Sequence, residues 1–173
     1  MKIIIYIVLF VVVFSSIQED IYSNAKNNVD ETLWAYDVDR QAESNDQVYV
    51  TSGENKCNLF VYEMILASGY DIGTPNTAGF SHIYLWLKGK YNRPPCCSDW
   101  YNKKVPGFTF IGEGEEGKRI CQQGDIVTDG KHVGIIAGNG KTISAAHDKV
   151  VENDWGFRQN QKKLRYFRYG DGK

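Results

Sequence analysis

The sequence predicts an α+β fold, with helices in the first half of the chain and an antiparallel sheet in the second. Three observations carry that reading. Cys57, Phe60, Val61, Met64 and Ile65 recur at i, i+3, i+4, i+7 and i+8, the period of a helix with one buried face. Asp129-Gly130 and Asn139-Gly140 are turn signals, each flanked by β-formers, so residues 124–146 read as three consecutive antiparallel strands. Val150-Val151-Glu152 and Leu164-Arg165-Tyr166-Phe167-Arg168-Tyr169 then add two further strands.

The elements follow in order. Lys2, an apolar run over residues 3–14, then Ser15 and Ser16 give residues 1–17 the form of a secretory signal peptide. The run is short for a membrane span of about 20 residues, although an uncleaved anchor is the alternative. Secretion is therefore expected, to the extracellular space or to the periplasm of a Gram-negative cell, with membrane contact only through this segment. Residues 18–46 form a polar leader, in which residues 29–38, carrying Leu33 and Trp34, are a candidate docking helix. Residues 47–173 form a single domain, and a mature chain of about 150 residues is enough for a proper core. Within it residues 47–51 are a strand, Ser52-Gly53-Glu54 a turn, Asn55 the N-cap of the Cys57 helix and Gly69 its stop. A second short helix is expected over residues 78–87. Pro94-Pro95, Pro106-Gly107 and the Gly/Glu-rich residues 112–117 then punctuate loops, the last being a solvated connection or a mobile lid.

Charge narrows the function classes. The formal net charge is −1, and loss of Lys2 with the signal segment takes it to −2. Basic residues are scattered, so nothing resembles a nucleic-acid footprint. There is no C-x-x-C, and His82, His132 and His147 are far apart, so neither a metal nor another cofactor is expected.

The chemistry concentrates on two residues. Cys57 lies in the first turn of its helix, where unpaired N–H groups and the helix dipole favour the thiolate that attacks carbonyls. His132 follows the first turn signal at a strand start, about 75 residues later. A helix-borne thiol with a sheet-borne imidazole is how cysteine hydrolases keep attack and proton transfer within reach of each other. Trp86, Trp100, Tyr101 and Trp155 are either core or lining of a substrate groove, with Asp99 a candidate contact for a substrate amine. His82 reads as a surface or packing residue.

Cys57-Asn58-Leu59-Phe60-Val61-Tyr62, then Gly124-Asp125-Ile126-Val127, then His132-Val133-Gly134-Ile135 with a Gly-Asn-Gly turn, resembles the papain-like cell-wall amidases of the NlpC and CHAP type. The resemblance covers residues 55–157. It implies a papain-like fold with N-terminal helices, the catalytic Cys at a helix start and an antiparallel sheet beneath. The implied activity is a secreted cysteine amidase or endopeptidase cleaving amide bonds in peptidoglycan stem peptides. Cys57 would be the nucleophile, His132 the general base and acid, and the Cys57 backbone N–H part of an oxyanion hole. In the NlpC type a polar residue about twelve places after the His orients the ring. Here that place is Ser144, and the nearest His is His147.

Hairpin register decides between them. A two-residue Asn139-Gly140 turn sets His132 opposite His147 and turns Ser144 away; one more loop residue reverses this. We take His147 as the orienting residue and Ser144 as the alternative, with Glu152 and Asn153 as approximations to the CHAP pattern. An exported wall hydrolase must also be kept off its producer's own wall, which implies an inhibitor or immunity protein as a partner.

Export bears on the cysteines. Two structural disulfides among Cys57, Cys96, Cys97 and Cys121 are one reading. Cys96 and Cys97 are neighbours, about 3.8 Å apart at Cα and below the usual disulfide range of about 4.4–6.8 Å, so they do not pair together. With Cys57 free, Cys121 pairs with Cys96 or Cys97 and one thiol is spare. The competing class is a non-enzymatic exported disulfide-containing domain that binds cell-wall material or a protein.

Overall fold

A computed structural model describes residues 16–42, 45–70, 72, 94–159 and 163–170. The first element is helix α1 (Ile17–Asn27), which Ser16 caps by accepting the Glu19 N–H on its hydroxyl. Glu19 and Asp20 in the first turn and Lys26 in the last complement the helix dipole. Ile21 and Ala25, at i and i+4, are fully buried. Turns lead to a hairpin of β1 (Arg40–Ala42) and β2 (Asn45–Val50), and then to α2 (Cys57–Ala67).

Helix α2 differs from the expected one-sided helix. Leu59, Tyr62 and Glu63 are buried along with Cys57, Phe60, Val61, Met64 and Ile65, so it is a core helix packed nearly all round. Its N-cap is Lys56, not Asn55, and no side chain caps it. That omission costs about 1 kcal/mol. Burial of Leu59, Phe60, Val61 and Ile65 at about 1.5–3 kcal/mol each far outweighs it.

Next come α3 (Cys97–Tyr101), β3 (Phe108–Glu113), α4 (Gly114–Ile120), β4 (Ile126–Thr128), β5 (Val133–Gly138), β6 (Lys141–Ala145), β7 (Val150–Asn153), a 3-10 turn at Trp155–Phe157 and β8 (Arg165–Tyr169). The six-stranded sheet is antiparallel throughout, in the order β3-β8-β4-β5-β6-β7. Ile126, Val133, Ile135, Ile143 and Phe167 face α1 and α2 in the main core. Val127, Ile136, Leu164 and Tyr166 form a smaller cluster on the other face. The α+β reading holds, with α1, α2 and α3 before the six-stranded sheet and α4 between β3 and β4 in the chain.

Three expectations need correcting. The helix lies over residues 17–27 and not 29–38, where Asp30 has φ 74° and the chain turns. The polar leader is part of the domain, because Ile21, Ala25 and Trp34 belong to the main core and Trp34 Nε1 donates to buried Glu63. Residues 112–117, expected as a loop, are the end of β3 and most of α4. There Glu115 and Lys118 pair at i, i+3, and acidic residues precede basic ones along the helix. The expected helix over 78–87, with His82 and Trp86, lies outside the described residues, as do residues 1–15. Among the described residues no helix is long and apolar enough to cross a membrane.

The N-terminal segment also closes one sheet edge. Asp30 N–H donates to Val150 O and Val150 N–H to Glu31 O, both at 2.9 Å. Tyr36 N–H donates to His147 O at 2.7 Å.

Candidate active site

Cys57 and His132 are brought together where α2 meets the end of the sheet. The first intrahelical bond of α2 runs from Phe60 N–H to Lys56 O, so the N–H groups of Cys57, Asn58 and Leu59 have no helical acceptor. Lys56 is 2% exposed, and its ammonium donates to the carbonyls of Tyr36, Thr51 and Glu54 at 3.1–3.2 Å. All three donors are used, which fastens the turn before α2 and fixes where the helix begins. Burial lowers the pKa of this amine. Nothing in the sequence pattern singled out Lys56, because a lysine beside a turn ordinarily reads as exposed.

His132 is set by the turn before β5. Asp129 Oδ1 accepts the N–H groups of Lys131 at 2.8 Å and His132 at 2.7 Å. Thr128 Oγ1 lies 2.7 Å from His132 O and 3.4 Å from Cys97 O, linking the backbone of the imidazole to that of α3. Trp155 meets the His132 ring edge-on, with centroids 4.6 Å apart. Val133 and Ile135 face α2 whereas Ile136 faces away, so a residue just before β5 can reach around the end of the sheet. His132 is thus near enough to Cys57 to lower the thiol pKa, and its Nε2 lies beside Ser144.

Ser144, and not His147, holds the ring. His132 Nε2 lies 3.0 Å from Ser144 Oγ, which leaves Nδ1 for the thiol. The register explains the reversal. Asn139-Gly140 is the two-residue turn, with φ of 51° and 70°, and Gly138 pairs with Lys141. The register then slips between Ile136 and Gly138, leaving Ala137 as an extra residue, so Ile136 pairs with Thr142 and Ile135 with Ile143. A tight turn followed by a bulge gives the pairing of a longer loop. Gly134 makes the approach possible: a Cβ there would lie 2.7 Å from Thr142 Cγ2 and 3.1 Å from Ser144 Cβ. His147 is exposed, stacked on Tyr36 and paired with Asp148 at 2.6 Å.

Of the other candidates, Glu152 pairs with Lys26 and Lys141. Asn153 accepts Trp155 N–H and shares a cleft with His132. Asp99 caps the start of α3, where its carboxylate accepts Cys96 N–H at 2.9 Å. Trp100 is core, packed edge-on against Phe108 and Phe167. Tyr101 lies under the Arg165 guanidinium.

The expected bridge from Cys121 to Cys96 or Cys97 is not formed: all four cysteines are thiols. Cys121 packs with the small cluster on one face of the sheet and donates to Lys118 O at 3.3 Å, whereas Cys97 belongs to the main core on the other face. Cys96 Sγ lies 2.9 Å from Ser98 Oγ. Cys97, which sequence reasoning named only as a disulfide candidate, stands in the site with its Sγ 3.7 Å from that of Cys57. The Cys57 thiol titrates well below its usual range. The hydrogen bond from Cys97 is the main cause, and burial opposes it; His132, by hydrogen bond and charge, and Val133 N–H add to the lowering. Cys97 is pushed upward, first by its bond to Cys57 and then by burial.

Two clefts flank the pair. One of about 260 Å³ is lined by Asn55, Cys57, Asn58, Cys96, Cys97, Ser98, Gly130 and Lys131. The other, about 300 Å³, is lined by His132, Ser144, Ala146, Val151, Asn153, Trp155 and Arg158. Among the described residues no three His, Cys, Asp or Glu side chains converge as metal ligands. Comparison with protein-family models, with curated proteins and with solved structures finds no match for this chain.

Proposed function

We propose that this protein is a secreted, papain-like cysteine amidase or endopeptidase that cleaves amide bonds in peptidoglycan stem peptides. The observation that carries the reading is Cys57 at a helix start beside the strand-borne His132, whose Nε2 lies 3.0 Å from the hydroxyl of buried Ser144. Nucleophile, base and orienting group in that order form the working set of a cysteine hydrolase.

The reaction follows from those positions. The Cys57 thiolate attacks the amide carbonyl, and the developing oxyanion is met by the unpaired N–H groups at the start of α2, that of Cys57 among them. Imidazolium at His132 gives its proton to the leaving amine, and the acyl group remains on sulfur as a thioester. Water, deprotonated by the now neutral His132, attacks the thioester and releases the acid. A cleft on either side of the pair suits an extended substrate that enters past Lys131 and leaves past Arg158. The peptidoglycan substrate and the inhibitor or immunity partner rest on the resemblance of the motifs.

The test is hydrolysis of purified peptidoglycan and synthetic stem peptides, followed by the amines released. Wild-type protein cleaves; Cys57→Ala is inactive while keeping its circular dichroism spectrum and melting temperature. Cleavage by a folded Cys57→Ala variant, or none by the reduced wild type, overturns the reading in favour of a binding domain.

A further inference from the structure

The proposed mechanism gives the second thiol beside the nucleophile no bond-making step of its own. Cys97 opens α3, and its Sγ stands 3.7 Å from Cys57 Sγ. Reaching a bond length of about 2.05 Å needs the sulfurs to approach by about 1.7 Å. The other two thiols are turned elsewhere, Cys96 toward Ser98 and Cys121 to the opposite face of the sheet. Cys57 and Cys97 are each less than one-tenth exposed, yet both line the 260 Å³ cleft, the side from which a reagent would approach.

We infer that Cys57 and Cys97 form a reversible disulfide, so that the nucleophile is also a modification site and the bond is a redox latch on the active site. The effect of the latch on turnover rests on the hydrolase reading; the bond itself does not.

The oxidant is a low-molecular-weight disulfide, RSSR. Cys57 thiolate attacks one of its sulfurs, the S–S bond breaks, and RS⁻ leaves and takes up a proton. Once Cys57 is a mixed disulfide its negative charge is gone, and with it the main cause that holds the Cys97 proton in place. Cys97 loses that proton to solvent and attacks the Cys57 sulfur, expelling the second RS⁻. In sum, two protein thiols and RSSR give one protein disulfide and two RSH. The latched enzyme has no thiolate to attack an amide, and it is unlatched by thiols. An exported enzyme of this design would be silent in an oxidising setting and active where thiols are present.

The experiment treats the reduced full chain with oxidised glutathione and follows it by non-reducing peptide mapping, intact mass and peptidoglycan hydrolysis. The wild type should lose two thiols, retain no glutathione, and yield a Cys57–Cys97 cross-linked peptide. Its cleavage rate should fall at least about tenfold and return with dithiothreitol. Cys97→Ser should stop as a glutathione adduct on Cys57. Wild-type protein that keeps glutathione on Cys57, pairs Cys57 with Cys96, or keeps both thiols free overturns the latch without need of any variant. A cross-link in a protein that never hydrolyses peptidoglycan keeps the disulfide and removes the hydrolase; robust hydrolysis without the cross-link does the reverse.

Discussion

Replacing Ser144 by Ala deletes a side-chain partner of His132 Nε2, the one among the described residues, a hydroxyl 3.0 Å away on a residue that is 2% exposed. In the thiolate–imidazolium pair of the proposed mechanism the lost bond is one to a charged group, with a net contribution of about 1.5–3 kcal/mol. Water in the cleft beside Trp155 and Arg158 can replace part of it, so the lower end applies, about 1.5 kcal/mol or roughly tenfold in kcat/KM. The assay is stem-peptide hydrolysis, run beside the rate at which iodoacetamide alkylates Cys57 across pH. Ser144→Ala should remain alkylatable, with the midpoint of its alkylation profile moved upward because the imidazolium that favours thiolate is less well held. His147→Ala, which removes an exposed ring stacked on Tyr36, should stay within about twofold of wild type. A fully active Ser144→Ala variant, or a larger loss at His147, refutes the assignment.

Further outcomes follow from the same contacts. Because His132 lowers the Cys57 pKa, His132→Ala should shift the alkylation midpoint to higher pH; an unchanged midpoint removes His132 from the thiol's surroundings. Gly134→Ala sets a methyl 2.7 Å from Thr142 Cγ2 and 3.0 Å from Ile143 O, so β6 must move away. Overpacking of this kind costs about 1–3 kcal/mol, visible in urea melts, with turnover falling as Ser144 recedes. Asp125 is fully buried and accepts from Arg168, Gln18 and Gln122 N–H. Asp125→Ala should cost about 2–3 kcal/mol, discounted because Arg168 is partly exposed, and lower Tm by about 5–10 °C in calorimetry.

The helix that carries Cys57 and the strands after Asp125 were legible because their periods and turn residues are local signals. Helix α1 was not: its polar composition masks a two-residue apolar stripe, Ile21 and Ala25, whose value appears only when α2 is packed against it. Strand β3 is pinned by pairing with β8, a partner more than fifty residues away, and its flanking Pro-Gly and Gly/Glu pairs read as loop. At the candidate site, the placement of Cys57 at a helix start and His132 at a strand start was readable, but which of Ser144 and His147 lies beside His132 turned on a bulge at Ala137 that no turn signal announces. The proximity of Cys97 to Cys57 is a purely tertiary fact. Lys56 shows the same limit, since three backbone carbonyls can make a buried ammonium acceptable where composition predicts a solvated one.

The bonds from residues 30–31 to Val150 have a consequence for how the chain is made. A polypeptide delivered N-terminus first can dock α1 on α2 once about 70 residues have emerged, but the sheet that both rest on lies beyond residue 107. Gln18 must wait for Asp125, and Asp30 and Glu31 for Val150. Non-local closures of this length are slow to form compared with turns and hairpins. During synthesis the apolar side of the α1–α2 pair has no native cover, which makes it the natural place for a chaperone to hold. Cys57 is meanwhile without His132 and Ser144, so the candidate site is assembled only once β5 and β6 have joined the sheet.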